Sequence, residues 1–224
     1  MATFEADAPT SSHTPPDWSL EAELWGLGYH VVAGVDEAGR GALAGPVVAA
    51  AVVLPVTRHP FVDSKTVGVP ERERLAELVR SCALAWAVGE ASAAEVDRVN
   101  VLAATKLAAE RALRALGLRP DAIVTDYLPL DRERLASWGG PAAQRCPPRA
   151  DGRSLQVAAA SLVAKTHRDA LMRRAAVRWP GYGFERNKGY GAPVHLEALG
   201  RQGPCPWHRI TFRPVGGTRP GHDA

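Results

Sequence analysis

Cysteine is scarce in this chain. Among 224 residues there are three, Cys82, Cys146 and Cys205, odd in number and far apart. No C-x-x-C spacing occurs, so neither a disulfide framework nor a zinc knuckle is indicated, and a reducing cytoplasm is the expected compartment. A membrane span is not expected either. The longest apolar run, Ala42 to Val56, covers 15 residues and is broken by Gly45, Pro46 and Pro55, whereas a spanning helix needs about 20 residues. Residues 1–17 contain Glu5, Asp7 and a Pro-Pro pair but no basic start and no apolar centre, which argues against a secretory signal. No internal repeat is present. Net charge is small as well, +3 in total.

What is present is ordinary in amount and uneven in placement. With 46% apolar and 23% charged residues the chain is globular, which excludes wholesale disorder and collagen-like structure. Its length suits one large domain, or one domain with a small appendage. Residues 1–144 carry 13 Lys/Arg against 19 Asp/Glu, whereas residues 145–224 carry 14 against 5. A basic second half points to a polyanionic partner such as nucleic acid.

The apolar pattern predicts an α/β domain with a mixed sheet. Trp18 to Leu27 has helical spacing and closes at Gly28. Tyr29 to Asp36 reads as a strand that ends in two carboxylates, and after a Gly-rich turn Val47 to Leu54 reads as a buried strand. Pro70 opens a helix, and Ala83 to Glu90 is a third strand. Ala93 to Leu116 reads as one long helix and Asp121 to Asp126 as a fourth strand. A polar, Pro-rich connection runs to Pro148. Ser154 caps a long helix that Pro180 stops, Gly181 to Gly191 is a Gly-rich aromatic loop, and Pro193 to Leu199 is a last short helix.

Four acids stand at the ends of these elements. Asp36-Glu37 is followed by Gly39-Arg40-Gly41. Adjacent carboxylates raise each other's pKa, a cost that a hard divalent cation relieves. Alone, the dipeptide reads more simply as a solvated turn. Asp126 alone reads as an Asx turn, and Asp151, just before a long helix, as a cap in the field of the helix dipole. Together at strand and helix ends of one sheet, they could hold two cations about 3.5–4 Å apart, as in-line phosphodiester displacement requires.

The ordered motifs resemble those of the bacterial ribonuclease HII family. Gly34-Val35-Asp36-Glu37-Ala38-Gly39-Arg40-Gly41 with Ala44-Gly45-Pro46-Val47 is similar to that family's opening motif, and Asp63-Ser64-Lys65 to its second. Ala159-Ala160-Ser161 with Ala164-Lys165 and Arg168-Asp169 is similar to the third. Lys188-Gly189-Tyr190 with His195-Leu196, then His208-Arg209 and Phe212, is similar to the C-terminal signature. The resemblance runs from about Val31 to Val215.

The resemblance implies a ribonuclease H-like fold, with the catalytic domain over residues 18–180 and a C-terminal helical appendage over 181–215. Residues 1–17 and 216–224 are then expected to be flexible tails. It implies Mg2+ or Mn2+ held by Asp36, Glu37, Asp126 and Asp151. It also implies recognition of the ribose 2′-hydroxyl by Gly39, Arg40, Gly41 and Tyr190. Relatives usually place Gly after the third acid, where this chain has Tyr127, and Asp131 is the alternative third acid. The expected enzyme is a cytoplasmic, monomeric endoribonuclease acting on RNA–DNA hybrids and on single ribonucleotides embedded in duplex DNA. Such activity belongs to ribonucleotide excision repair. Two-metal hydrolysis 5′ to the ribonucleotide would leave 3′-hydroxyl and 5′-phosphate ends.

The basic half fits that substrate. Ser161, Lys165 and Arg168 fall at i, i+4 and i+7, one helix face that could meet the phosphate backbone, as could Ser64, Lys65 and Lys188. A Lys165–Asp169 pair at i, i+4 is the competing reading. Trp179 and Phe184 read as core, Tyr190 between two glycines as exposed, and His195 and His208 lack a metal-ligand pattern. A non-catalytic hybrid-binding module would not need four convergent acids. A different nuclease or strand-transfer enzyme on the same fold would not need Gly-Arg-Gly together with Tyr190.

Overall fold

The computed structural model describes residues 15–217. Most of each expected tail lies outside that range. Asp17, at the end of the first, is tied down: its amide donates to the Arg153 carbonyl at 3.0 Å and its carbonyl accepts from Leu155 at 3.0 Å.

Five strands form one mixed sheet in the order β3-β2-β1-β4-β5. Strands β1 (Val32–Ala38) and β2 (Val47–Val53) make the expected antiparallel hairpin, with Asp36 opposite Ala50. Strand β3 (Ala85–Ala91) extends it antiparallel. On the other side of β1, strand β4 (Ala122–Thr125) runs parallel with Val35 opposite Thr125, and β5 (Ala143–Arg145) lies parallel beyond it. Every residue of β2 is buried, because helices cover both faces of the sheet; its Val-Val-Ala-Ala-Ala-Val-Val sequence supplies apolar surface on both sides.

One face receives α4 (Val101–Ala115), packed on Ala33, Val35, Ala49, Ala51 and Ala87. The other receives α2 (Val69–Cys82) and the long α6 (Leu155–Arg178), packed on Ala38, Ala50 and Val52. Two glycines set how near the helices lie. A Cβ on Gly34 would fall 2.2 Å from the Gln156 carbonyl carbon in α6, and one on Gly89 would fall 2.2 Å from the Ala108 carbonyl oxygen in α4. The N-terminal helix α1 (Ser19–Gly26) adds Leu20 and Leu24 beside Val124 and Val157.

Two expectations are corrected. The long helix expected over 93–116 is two helices, α3 (Ala93–Val99) and α4, because Asn100 adopts φ 73° and caps α4 through its side chain on the Ala103 amide. The Pro-rich connection is not featureless: it holds α5 (Arg132–Ala136) and β5. Past Pro180, the short α7 (Phe184–Asn187) and α8 (Pro193–Gln202) fold over the far end of α6. Leu43, Met172, Tyr182, Phe184 and Leu199 form the cluster beneath them, with half-buried Trp179 at its rim. Among the described residues no helix is long and apolar enough to cross a membrane.

Candidate active site

The parallel register of β1 and β4 runs to the Val35–Thr125 pair, and Asp36 and Asp126 each follow directly on it, toward the carboxyl ends of both strands. Asp36 shares the α6 face with Gly34 and Ala38. Glu37, next in the strand, turns to the opposite face and reaches the same end. Asp151 sits in a short 3-10 turn, Ala150–Gly152, leading into α6, and the Gly34 notch holds that helix close to β1. Asp126 Oδ1 accepts the Ala150 amide at 2.9 Å, which ties the third acid to the segment carrying the fourth. The alternative third acid, Asp131, is occupied as the N-cap of α5, accepting the Arg134 amide at 2.8 Å. Tyr127 takes φ 46°, a left-handed backbone that glycine adopts without strain, at the position where the family resemblance implies glycine.

The acids feel one another's charge. Burial, then the charges of Glu37 and Asp151, push the Asp36 carboxyl well above the usual range. Burial raises Glu37 against the pull of Arg40, with Asp126 adding to the rise, and burial also raises Asp126, with Asp151 adding to it. Two of the carboxylates face side-chain cations: Glu37 takes Arg40 at 3.2 Å and Asp151 takes the Lys65 ammonium at 2.6 Å. Among the described residues, no three acidic, histidine or cysteine side chains are gathered into a metal-holding cluster. The donor set nonetheless suits a hard divalent cation. All four groups offer carboxylate oxygens, Glu37 Oε2 is buried with no hydrogen-bond partner among the described residues, and an ammonium already stands near them.

The Gly-Arg-Gly loop is shaped from beneath. Arg209 is fully buried and donates to the carbonyls of Gly39 and Arg40 at 2.8 Å each and to Gly45 at 2.8 and 3.1 Å. Arg168 is also fully buried, donating at 3.0 Å to the carbonyls of Ala44, Pro46 and Lys188. Among the described residues neither guanidinium forms an ion pair with a carboxylate, although Asp169 and Asp97 act on them through space; burial, then the neighbouring Arg168, lowers the Arg209 pKa to about 10, still charged at neutral pH. Gly39 is required because a Cβ there would fall 1.9 Å from Arg168 Nε, at φ 94°. With the carbonyls drawn inward, the amides of Arg40 and Gly41 find no acceptor among the described residues. The Tyr190 ring, 38% exposed, lies with its centroid 5.3 Å from the Arg168 guanidinium carbon. Its loop joins this assembly through Gly189, whose carbonyl accepts the Leu43 and Ala44 amides.

The proposed phosphate contacts divide. Lys65, Lys165 and Lys188 reach the surface to different degrees, although Lys165 is paired with Asp169 at 2.6 Å and the Lys188 ammonium turns back to the Glu185 carbonyl. Ser64 and Ser161 are corrected: both are buried, with their hydroxyls hydrogen-bonded to each other at 2.7 Å. Arg168 is corrected too, since its guanidinium is spent on loop carbonyls inside the fold. Arg209 was not singled out from the residues. The signal available was its place beside His208 in the C-terminal motif, which gives no hint of burial.

A family model described as Ribonuclease HII matches residues 33–215. A ribonuclease HII of Thermus thermophilus is 56% identical over 196 residues, covering 88% of this chain and 92% of its own. A crystal structure of the ribonuclease H2 of Pyrococcus horikoshii OT3 matches with a TM-score of 0.70 at 27% identity, over 84% of this chain and 97% of that one. The Bst ribonuclease HIII in complex with Mn2+ matches in fold, with a TM-score of 0.59 at 22% identity, over 83% of this chain and 63% of that one.

Proposed function

The chain belongs to the ribonuclease HII family, metal-dependent endonucleases that hydrolyse the RNA strand of RNA–DNA hybrids, and from that membership we propose that it also incises 5′ to single ribonucleotides embedded in duplex DNA. Asp36, Glu37, Asp126 and Asp151 hold the divalent cations, Mg2+ or Mn2+. Cations held there would supply an activated water and charge neutralisation at the leaving oxygen, chemistry that would give 3′-hydroxyl and 5′-phosphate ends. The amides of Arg40 and Gly41, which have no acceptor among the described residues, join Gly39 and the Tyr190 ring in reading the ribose 2′-hydroxyl, the group that separates RNA from DNA at one nucleotide. Lys65, Lys165 and Lys188 meet phosphates on the basic side.

The observation that supports this reading best is the inward draw of the Gly39 and Arg40 carbonyls onto Arg209, directly after a strand that ends in two carboxylates. It leaves backbone donors beside the acids, which a plain hybrid-binding surface would not need. A DNA duplex with one ribonucleotide, incubated with Mg2+, with Mn2+ and with chelator, tests it. Incision on the 5′ side, lost in chelator, is expected. Asp36→Asn is expected to lower cleavage by about a thousandfold or more while hybrid binding persists. Undiminished cleavage by that variant removes Asp36 from the metal set.

A further inference from the structure

His195 and His208 are buried, 0% and 2% exposed, and no step of the proposed reaction uses them. Their Nε2 atoms are 2.9 Å apart, close enough for one hydrogen bond and too close for two facing N–H groups. Both ends of the pair fix which nitrogen carries the proton. The Cys205 amide, which can only donate, lies 2.9 Å from His208 Nδ1, nearer than the Cys205 carbonyl at 3.3 Å, so that nitrogen presents its lone pair to the amide and the proton sits on His208 Nε2. At the other end His195 Nδ1 lies 2.8 Å from the Tyr190 carbonyl, which can only accept, so His195 carries its proton on Nδ1 and accepts at Nε2. The two deductions are independent and agree: Cys205 N–H to His208, His208 to His195, His195 to the Tyr190 carbonyl.

Apolar rings enclose the chain of bonds. Tyr182 lies 4.8 Å from His208 and Phe184 5.3 Å from His195, centroid to centroid, and burial keeps the His208 imidazole neutral, with a pKa lowered to about 4. Apolar side chains would fill such a space without needing any partner. The polar pair instead joins two substrate-side segments. At one end, His208 forms a β-bridge with Ala44, just after the Gly-Arg-Gly loop, and at the other the hydrogen bond lands on Tyr190 itself.

We propose that His195 and His208 are positioning residues: a fixed-tautomer relay that locks the Tyr190 backbone to the Ala44 segment and so aims the Tyr190 ring at the ribose of the scissile junction. The proposal rests on the reading that Tyr190 contacts that ribose. It makes the pair part of substrate selection without touching substrate.

A double-mutant cycle tests it, with kcat/KM measured on a duplex carrying one ribonucleotide. His195→Leu is expected to cost about tenfold or more beside native Tyr190, and less than about twofold in a Tyr190→Ala background. His195→Asn, whose amide can still donate to the Tyr190 carbonyl, is expected to recover most of the loss. Equal losses in both backgrounds, or no loss in either, overturn the proposal. 15N NMR of the imidazoles in the native enzyme is expected to find His195 protonated at Nδ1 and His208 at Nε2; the reverse tautomers, or a charged ring at neutral pH, overturn it as well. An unchanged rate for Tyr190→Ala alone removes Tyr190 from ribose recognition, and the proposal falls with that reading, an outcome the NMR result keeps distinct from failure of the relay.

Discussion

Lys65 shows how one side chain can serve an acid cluster in two conditions. Its ammonium lies 2.6 Å from Asp151 and 3.9 Å from Asp63, and its charge lowers the pKa of Asp36, Glu37 and Asp126. It therefore adds positive charge to a group of acids whose other side-chain cation is Arg40, beside Glu37. A divalent cation binding the same oxygens has to displace it. Lys65→Met is accordingly expected to tighten Mn2+ binding by about threefold to tenfold, on the scale of one partly exposed charge pair, in calorimetric titration of the apo protein. The same variant is expected to be less stable in chelator, where the acids lose their counter-charge. Weaker Mn2+ binding would mean that Lys65 assists the ion and does not compete with it. Sequence made Lys65 readable as part of the Asp63-Ser64-Lys65 motif and as a phosphate contact, but not as the partner of Asp151, which lies 86 positions away.

At the level of elements, what could be read locally was read, and the losses are long-range or very short. The Val- and Ala-rich β2, the Ser154 cap of α6 and the Asp36-Glu37 strand end are contiguous patterns. Strand β5 is three residues long, too short for any alternation to register. The α3–α4 break depends on a single Asn100 in a left-handed conformation inside an otherwise helical run. Arg168 has the spacing of an exposed helix face, yet carbonyls at Ala44 and Pro46, more than a hundred residues earlier, take it inside. The notch at Gly34 is equally silent in sequence. Gly34→Ala places a methyl 2.2 Å from α6 backbone, and because backbone cannot rotate aside the helix must shift. A loss of about 2 kcal/mol or more is expected in urea unfolding, with cleavage falling as Asp151 moves off β1. An unchanged midpoint would show that α6 slides freely on the sheet.

For the whole molecule, stability and substrate affinity respond to different variables. His208 titrates at about 4 in the fold against an ordinary 6.5, so the unfolded chain binds a proton in that window and the native state does not. The contribution is fully present above pH 6.5 and is lost as pH falls toward 4, at no more than about 1.4 kcal/mol per pH unit from one site. His195, Tyr182 and Cys205 face the ring. His195 is itself held neutral by burial, and burial pushes the Tyr182 and Cys205 groups up, away from this window. The stability gap between wild type and His208→Gln is therefore expected to narrow on acidification from pH 7 to pH 4, read from denaturant midpoints at each pH. A constant gap would mean that His208 contributes packing alone. Substrate affinity is expected to follow ionic strength instead, since on the proposed reading the basic half of the chain would meet phosphates through screened charge.

The two buried arginines under the Gly-Arg-Gly loop stand apart from both variables. Their partners are backbone carbonyls, which neither titrate nor lose their lone pairs to salt, and no water or counterion needs to intervene at 2.8 to 3.1 Å. Raising the salt should thus loosen the enzyme's hold on every duplex alike while leaving its preference for a ribose over a deoxyribose untouched: grip and discernment are wired to separate circuits.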